Sequence, residues 1–166
     1  MATSLPTRDM LLVSLRADQD RFNALVGLLS DADQEKAFTP EGWSVKDFLS
    51  HMTHWKRATH ALLVAYFHDQ PLPAAIPEGD EVNAQQRQQD AARPLADVQA
   101  AWEEVHERLQ RLVRDEADDT RLADEVRLPW SDTEERPICL LIRSMCNHDA
   151  EHFTLIEHHF HIGSEQ

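Results

Sequence analysis

Apolar residues return along most of this 166-residue chain at helical intervals. After Thr7, a good N-cap with Asp9 in the turn that follows, Leu11, Leu15, Phe22, Leu25 and Leu29 recur at steps of three, four or seven residues, on one face of a first helix. The pattern breaks between Ser30 and Gly42, where Asp31, Asp33, Pro40 and Gly42 intervene. It resumes at Ser44, which caps a second helix with Asp47 as a capping-box partner three residues on, and it runs to about Phe67. Three prolines and a glycine between Gln70 and Asp80 predict a loop, and the polar, Gln-rich stretch from Glu81 to Ala92 predicts a short exposed helix. A third long helix begins near Pro94, a residue suited to a first turn, and carries the stripe Val98, Trp102, Val105, Leu109 and Leu112. The acidic segment from Arg114 to Pro137 reads as a long connection, with only a weak hairpin signal around Val126 to Trp130. A last helix runs from about Ile138 to His159, and a frayed tail follows.

Four long amphipathic helices with no convincing alternating strand predict an all-α fold: a four-helix bundle with long crossover connections, in a single domain spanning residues 1–166. A chain of this size hides roughly two-thirds of its unfolded surface, enough for a real core.

Composition narrows the function more than the fold. Sixteen basic against thirty acidic residues give a formal net charge of −14. That balance argues against nucleic-acid backbones and against anionic membrane surfaces, both of which call for a cationic face. No apolar run approaches the ~18 residues needed to cross a bilayer. The opening MATSLPTRDM has no basic region followed by an apolar stretch, so no signal peptide is expected. Cys139 and Cys146, the only cysteines, are seven apart and make neither a disulfide framework nor a zinc finger, which fits a reduced cytoplasmic setting. With four glycines the chain holds no GxGxxG, no GxxxxGK[ST] and no GxSxG, so phosphate-cradling loops and nucleophile elbows are excluded.

Histidine is the unusual entry in the composition, with ten in the chain. At about 100° per residue, measured from Ser44, Phe48, His51, Trp55, Ala58 and Leu62 fall within roughly 40° of one line. Measured from Leu141, so do Met145, His148, His152, Leu155 and His159. His148 and His152 stand at i and i+4, one turn apart on a single face, where two imidazoles reach one ion. Three imidazoles facing a core are costly to bury without partners, and a divalent ion satisfies all three through neutral ring nitrogens. Three protein ligands with a position left open is the arrangement of a catalytic site. The competing reading makes His51 a hydrogen-bonded core residue and the HxxxH a coincidence. His158, His159 and His161 read as surface residues, with His159 near the rim of the site, while His54, His60, His68 and His106 read as solvent-facing or structural. Asp149 and Glu151 point away from Leu141 and read as surface charge, and Cys146 reads as a small apolar filler. Trp43, Phe48, Trp55 and Met145 are the expected apolar walls.

The stretch Gly42-Trp43-Ser44-Val45-Lys46-Asp47-Phe48-Leu49-Ser50-His51 resembles the start of the second helix in the DinB-like superfamily, which includes YfiT-like metal hydrolases, thiol-dependent transferases and ClbS/DfsB-type proteins. There a Trp-Ser/Thr-Val-x-Asp run leads into a metal-ligand histidine. Asn147-His148-Asp149-Ala150-Glu151-His152 is similar to the family's C-terminal HxxxH, and Asn83 to a position common in the group. The resemblance covers essentially the whole chain in order. It implies an up-down-down-up four-helix bundle and a divalent metal ion on His51, His148 and His152, nickel or zinc ahead of iron or manganese, with water in the open position. Many members are dimers, so a homodimer is implied. Family activities range over thiol-cofactor S-transfer, maleylpyruvate isomerisation, amide hydrolysis and cyclopropane opening that detoxifies a genotoxin, and a shared fold does not choose among them. The expectation is a metal-dependent enzyme carrying out hydrolysis or small-thiol transfer on a small molecule, in detoxification or stress response, with no residue identifiable as general base. The alternative is a non-enzymatic bundle that binds a small molecule or a stress-related partner, with a structural metal or none.

Overall fold

The computed structural model describes residues 4–163. Among them the chain forms α1 (Arg8–Leu28), α2 (Asp31–Glu35), α3 (Val45–Phe67), α4 (Asp80–Asp90), α5 (Leu95–Glu116), α6 (Asp119–Leu122), the strands β1 (Glu125–Arg127) and β2 (Glu135–Pro137), and α7 (Ile138–Phe160). Beyond α7, residues 161–163 form a turn, and the rest of the expected tail, residues 164–166, lies outside the described residues. The four long helices start where the sequence supplies a cap or a proline. Thr7 Oγ1 accepts from the Met10 amide at 3.4 Å. Ser44 and Asp47 form a complete capping box, the Ser44 hydroxyl accepting from the Asp47 amide at 3.2 Å and the Asp47 carboxylate from the Ser44 amide at 2.9 Å. Pro94 and Pro137 take the cap positions of α5 and α7, where a missing N–H costs nothing.

Helices α1 and α3 each pack against both α5 and α7, so α1 faces α3, and α5 faces α7, across the diagonals of a four-helix bundle. The chain steps between diagonal partners twice, from α1 to α3 and from α5 to α7, and a diagonal step has to cross the end of the bundle. This is why the connections are long. They are also more structured than their composition predicts. Ser30 caps the short α2 by accepting from the Asp33 amide at 3.2 Å, and Asp118 caps α6. The hairpin signal at Val126 to Trp130 corresponds to β1, but its partner β2 lies further along and runs directly into α7.

The core divides into two apolar clusters. One gathers Leu15, Leu62, Leu63, Leu109, Val113 and Ile142 with their neighbours. The other gathers Phe22, Leu49, Met52, Trp102, Phe153 and Ile156. Between the stretches that feed the two clusters lie four buried ionisable side chains: Asp18 of α1, Lys56 of α3, His106 of α5 and Asp149 of α7. Asp149 is fully buried, which corrects its expected place on the surface, and Leu155, expected on the core face, is 45% exposed. The reason is angular. Taken from Leu141, Ile156, Asp149, Ile142 and Phe153 centre the buried face of α7 near about 90°, so the stripe drawn through Leu141 marks its edge. The same holds on α3, where Met52, Leu63, Lys56 and Leu49 lie at about 80° to 140° from Ser44.

His106 shows how one member of the polar layer is held. Its ring stacks on Trp102 at 4.6 Å between centroids, Trp102 in turn stacks on Phe22 at 4.1 Å, and its Nε2–H donates to the Leu15 carbonyl at 2.9 Å. Burial, with Lys56 nearby, pushes the ring's pKa down to about 3. Below pH 6.5 the unfolded chain therefore takes up a proton that the folded ring refuses, and stability falls as acid is added across the window from 6.5 towards 3. His106→Gln should flatten this acid slope by up to about 1.4 kcal/mol per pH unit relative to the parent. Urea unfolding of both proteins at pH 7, 6 and 5 measures the difference, and parallel slopes would show that His106 does not carry it.

A candidate metal centre between helices α3 and α7

Helix α3 brings His51 two turns beyond the Ser44 capping box, and α7 brings His148 and His152 one turn apart. Because α3 packs directly on α7, the three rings meet. His51 Nε2 lies 3.0 Å from His148 Nε2, and His152 Nε2 lies 3.1 Å from the same atom. One ligand atom from each residue lies within 4.8 Å of the other two. His51 is buried, while His148 and His152 are half-buried. Of the other histidines, His54 and His60 are half-buried, His68 pairs with Glu116 at the surface, and His158, His159 and His161 are exposed.

The arrangement fits a divalent ion. Three imidazole nitrogens on a tetrahedral ion at about 2.05 Å would be about 3.3 Å apart, close to the separations seen here. Burial, reinforced by the two neighbouring imidazoles, lowers the pKa of His51 to about 3. Burial and His148 lower that of His152 to about 4. Both rings are thus neutral at physiological pH, the form that ligates a metal. His51 Nδ1 is buried without a hydrogen-bond partner, so the ring's polar contact is made through Nε2 alone.

Behind the triad stands a charge pair that the sequence reading missed. The Asp149 carboxylate accepts from His148 Nδ1 at 3.3 Å through one oxygen and pairs with Lys56 Nζ through the other. Lys56 also lies 4.0 Å from Asp18 and 5.1 Å from the centre of the Trp102 ring. Burial pushes Asp149 upward, but Lys56 and the bonds from His148 and Lys56 outweigh it and hold the carboxyl below its usual range. Asp18 goes the other way, raised to about 7, chiefly by burial. Cys146, beside Asp18, has its thiol pushed up by burial and stays protonated, consistent with a filler rather than a nucleophile.

Two cavities open on either side of the triad. One, of about 380 Å³, is bounded by His51 and His148, by Trp55 and Met145, and by Trp130 and Arg136 from the hairpin segment. The other, of about 420 Å³, is bounded by His51 and His152 and by Phe38, Trp43 and Phe48. The four expected apolar walls therefore divide, Trp55 and Met145 to one cavity, Trp43 and Phe48 to the other. Trp55 meets Trp130 edge to face, with ring centroids 5.6 Å apart. Asn83 borders both cavities, and its Oδ1 is buried without a partner.

Asn83 is held there by a helix that buries none of its own residues. Arg87 of α4 donates to the carbonyls of Glu41 (at 3.2 Å) and Gly42, and its Nε lies 3.3 Å from an Asp47 oxygen. Gly42 turns the chain at φ 79°, in the left-handed region that favours glycine. At the far end of α4, Asp90 accepts from Ser50, and Lys46 donates to the Ala91 carbonyl at 3.1 Å.

The family model of the DinB superfamily matches residues 14–156. Among solved structures, a mycothiol-dependent maleylpyruvate isomerase aligns with a TM-score of 0.72 at 15% identity over 90% of this chain, which spans 60% of that protein's length. An uncharacterised protein from Escherichia coli UTI89 aligns with a TM-score of 0.72 at 14% identity, over 93% of this chain and 94% of its own. YfiT from Bacillus subtilis, described as a probable metal-dependent hydrolase with an unusual four-helix bundle topology, aligns with a TM-score of 0.68 at 16% identity, over 91% of this chain and 86% of its own. At these identities the likeness is one of fold. No curated protein matches the chain. Among the described residues no helix is long and apolar enough to cross a membrane.

Arg87→Ala should loosen α4 without touching the core. The expected loss is about 1 kcal/mol of local stability, or roughly fivefold faster amide exchange over residues 80–90, with global unfolding almost unchanged. Hydrogen exchange read by mass spectrometry measures it, and unchanged protection would show that Arg87 does not hold this helix.

Proposed function

The chain belongs to the DinB superfamily, and from that membership we propose that it is a metal-dependent enzyme acting on a small molecule, by hydrolysis or by transfer of a low-molecular-weight thiol. The observation that carries this reading is the convergence of His51, His148 and His152 through their Nε2 atoms at the meeting of two cavities. Imidazole donors suit nickel and zinc ahead of iron and manganese. An ion on these three residues would supply a Lewis acid with coordination positions to spare.

The remaining work falls to the chain's own residues. Trp55, Trp130 and Met145 on one side, and Phe38, Trp43 and Phe48 on the other, shed water from the approach to the triad. Asn83 Oδ1, unpartnered between the cavities, is placed to accept a hydrogen bond from a reacting group. Room on both sides of His51 favours a reaction with two participants, the substrate in one cavity and water or a small thiol in the other. A role in detoxification or stress response, a cytoplasmic location and a homodimeric state belong to the same reading. The two buried free thiols support the location, and the homodimer rests on the family resemblance. The net charge of −14 speaks against nucleic-acid and anionic-membrane partners.

The test is metal content in protein purified without a histidine tag. The parent should carry about one ion per chain. Saturation at about 100 times Kd should add about 2.7 kcal/mol and raise Tm by roughly 5–10 °C. His148→Ala should lose both the ion and the increment. A metal-free parent whose Tm ignores added nickel and zinc would favour the non-enzymatic bundle instead.

A further inference from the structure

We propose that Lys56 and Asp149 are positioning residues of the metal centre: together they fix His148 in the form whose Nε2 is free to bind an ion, and they brace α3 against α7 at the spacing the triad needs. The proposal rests on the metal reading above for its consequence in affinity, but its effect on the His148 ring is independent of any ion.

Stability does not account for the pair. Lys56 and Asp149 are both fully buried, and desolvating two charges costs as much as, or more than, their attraction returns. Apolar residues of similar volume in such positions are often neutral or stabilising. The surroundings are suited to apolar replacements, since Lys56 lies against the Trp102 ring and between the two apolar clusters. The positions of the two residues point to another role. Asp149 follows His148 on α7, and its Oδ1 lies 3.3 Å from His148 Nδ1. A carboxylate can only accept there, so the ring proton is held on Nδ1, and Nε2, which faces His51 and His152, keeps its lone pair. A carboxylate bound only to an imidazole would be free to rotate. Lys56 removes that freedom by taking the other oxygen, Oδ2.

Lys56 also sits on the helix that carries His51, five residues further on. The ion pair therefore ties the first ligand's helix to the helix of the other two. Asp18 of α1, 4.0 Å from Lys56 Nζ, holds the ammonium from the opposite side of the bundle.

The experiment compares the parent with Lys56→Met and with the double variant Lys56→Met/Asp149→Leu. The double variant removes both charges at once, so it is the informative protein should Lys56→Met fold poorly with a lone buried carboxylate. Two readouts are taken on protein with cooperative thermal unfolding. The first is the His148 tautomer in metal-free protein, from two-bond proton–nitrogen correlations of the imidazole ring, assigned with His148→Gln. The parent should show the Nδ1–H form. The variants should move towards the Nε2–H form that imidazole favours in water. The second is zinc affinity by competition with a chromophoric chelator, expected to fall by about tenfold or more in the variants. A parent His148 in the Nε2–H form, a variant ring that keeps the parent's tautomer, or a variant affinity within threefold of the parent's would each overturn the proposal. A parent that binds no zinc defeats the metal reading instead, and the tautomer measurement still decides the role of Lys56 and Asp149.

Discussion

Burying charge inside a four-helix bundle is the constraint around which this molecule is organised. Lys56 has no exposed surface, and its ammonium is held by Asp149, Asp18 and the face of Trp102. These come from α7, α1 and α5, so all four long helices must sit in one register for the ammonium to be held. Apolar packing alone tolerates sliding and repacking. A buried ammonium does not, because any shift of a turn leaves it unpaired at a cost of several kcal/mol. The polar layer between the two apolar clusters thus fixes how α3 and α7 align, and that alignment is what brings His51 opposite His148 and His152.

The topology then decides what surrounds the three rings. With α1 facing α3 and α5 facing α7 across the diagonals, the chain must cross the bundle ends twice. The connections that do so, together with the α4 segment, complete the walls that Phe48, Trp55 and Met145 begin on α3 and α7. The segment before α3 supplies Phe38 and Trp43, α4 supplies Asn83, and the hairpin region supplies Trp130 and Arg136. The bundle core positions the histidines and the connections shape what reaches them. α4 illustrates the division of labour: none of its residues is fully buried, and Arg87, Asp90 and the Lys46 contact hold it against α3 and the segment before it. An element fixed mainly by polar contacts opens locally at low cost, which suits a helix that borders both cavities.

Much of this was legible in the sequence, and the parts that were not share a cause. Helical periodicity, caps and prolines located the four long helices to within about three residues, because those signals are local. The largest miss is the end of α5, which runs to Glu116 where a connection was expected from Arg114. The three histidines could be placed on two stripes from spacing alone. The centre of each buried face could not, because choosing Ser44 or Leu141 as the reference is arbitrary until the whole set of apolar residues is weighed. Weighting Met52, Leu63, Ile142, Phe153 and Ile156 would have moved both centres by about 80–90° and put Lys56 and Asp149 inside. That was the available signal: a lysine and an aspartate on the apolar faces of the two ligand-bearing helices. Trp130, Arg136 and the roles of Asn83 and Arg87 depend on how long connections fold back over the bundle, and no short-range pattern encodes that.

The division between neutral and charged groups carries the last step. Every donor at the triad is an imidazole, and burial keeps His51 and His152 uncharged at physiological pH. Three neutral donors leave the charge of a divalent ion undiminished, whereas carboxylate ligands would spend part of it. The nearest negative charge, on Asp149, is set one bond further back and is already shared with Lys56. Most of the thirty acidic side chains shape the potential from outside, Asp18 and Asp149 being buried, and at physiological ionic strength that field is screened within about 8 Å. So an acidic protein can offer an ion imidazole donors in place of carboxylates, with the Lys56–Asp149 pair standing behind one of them, His148.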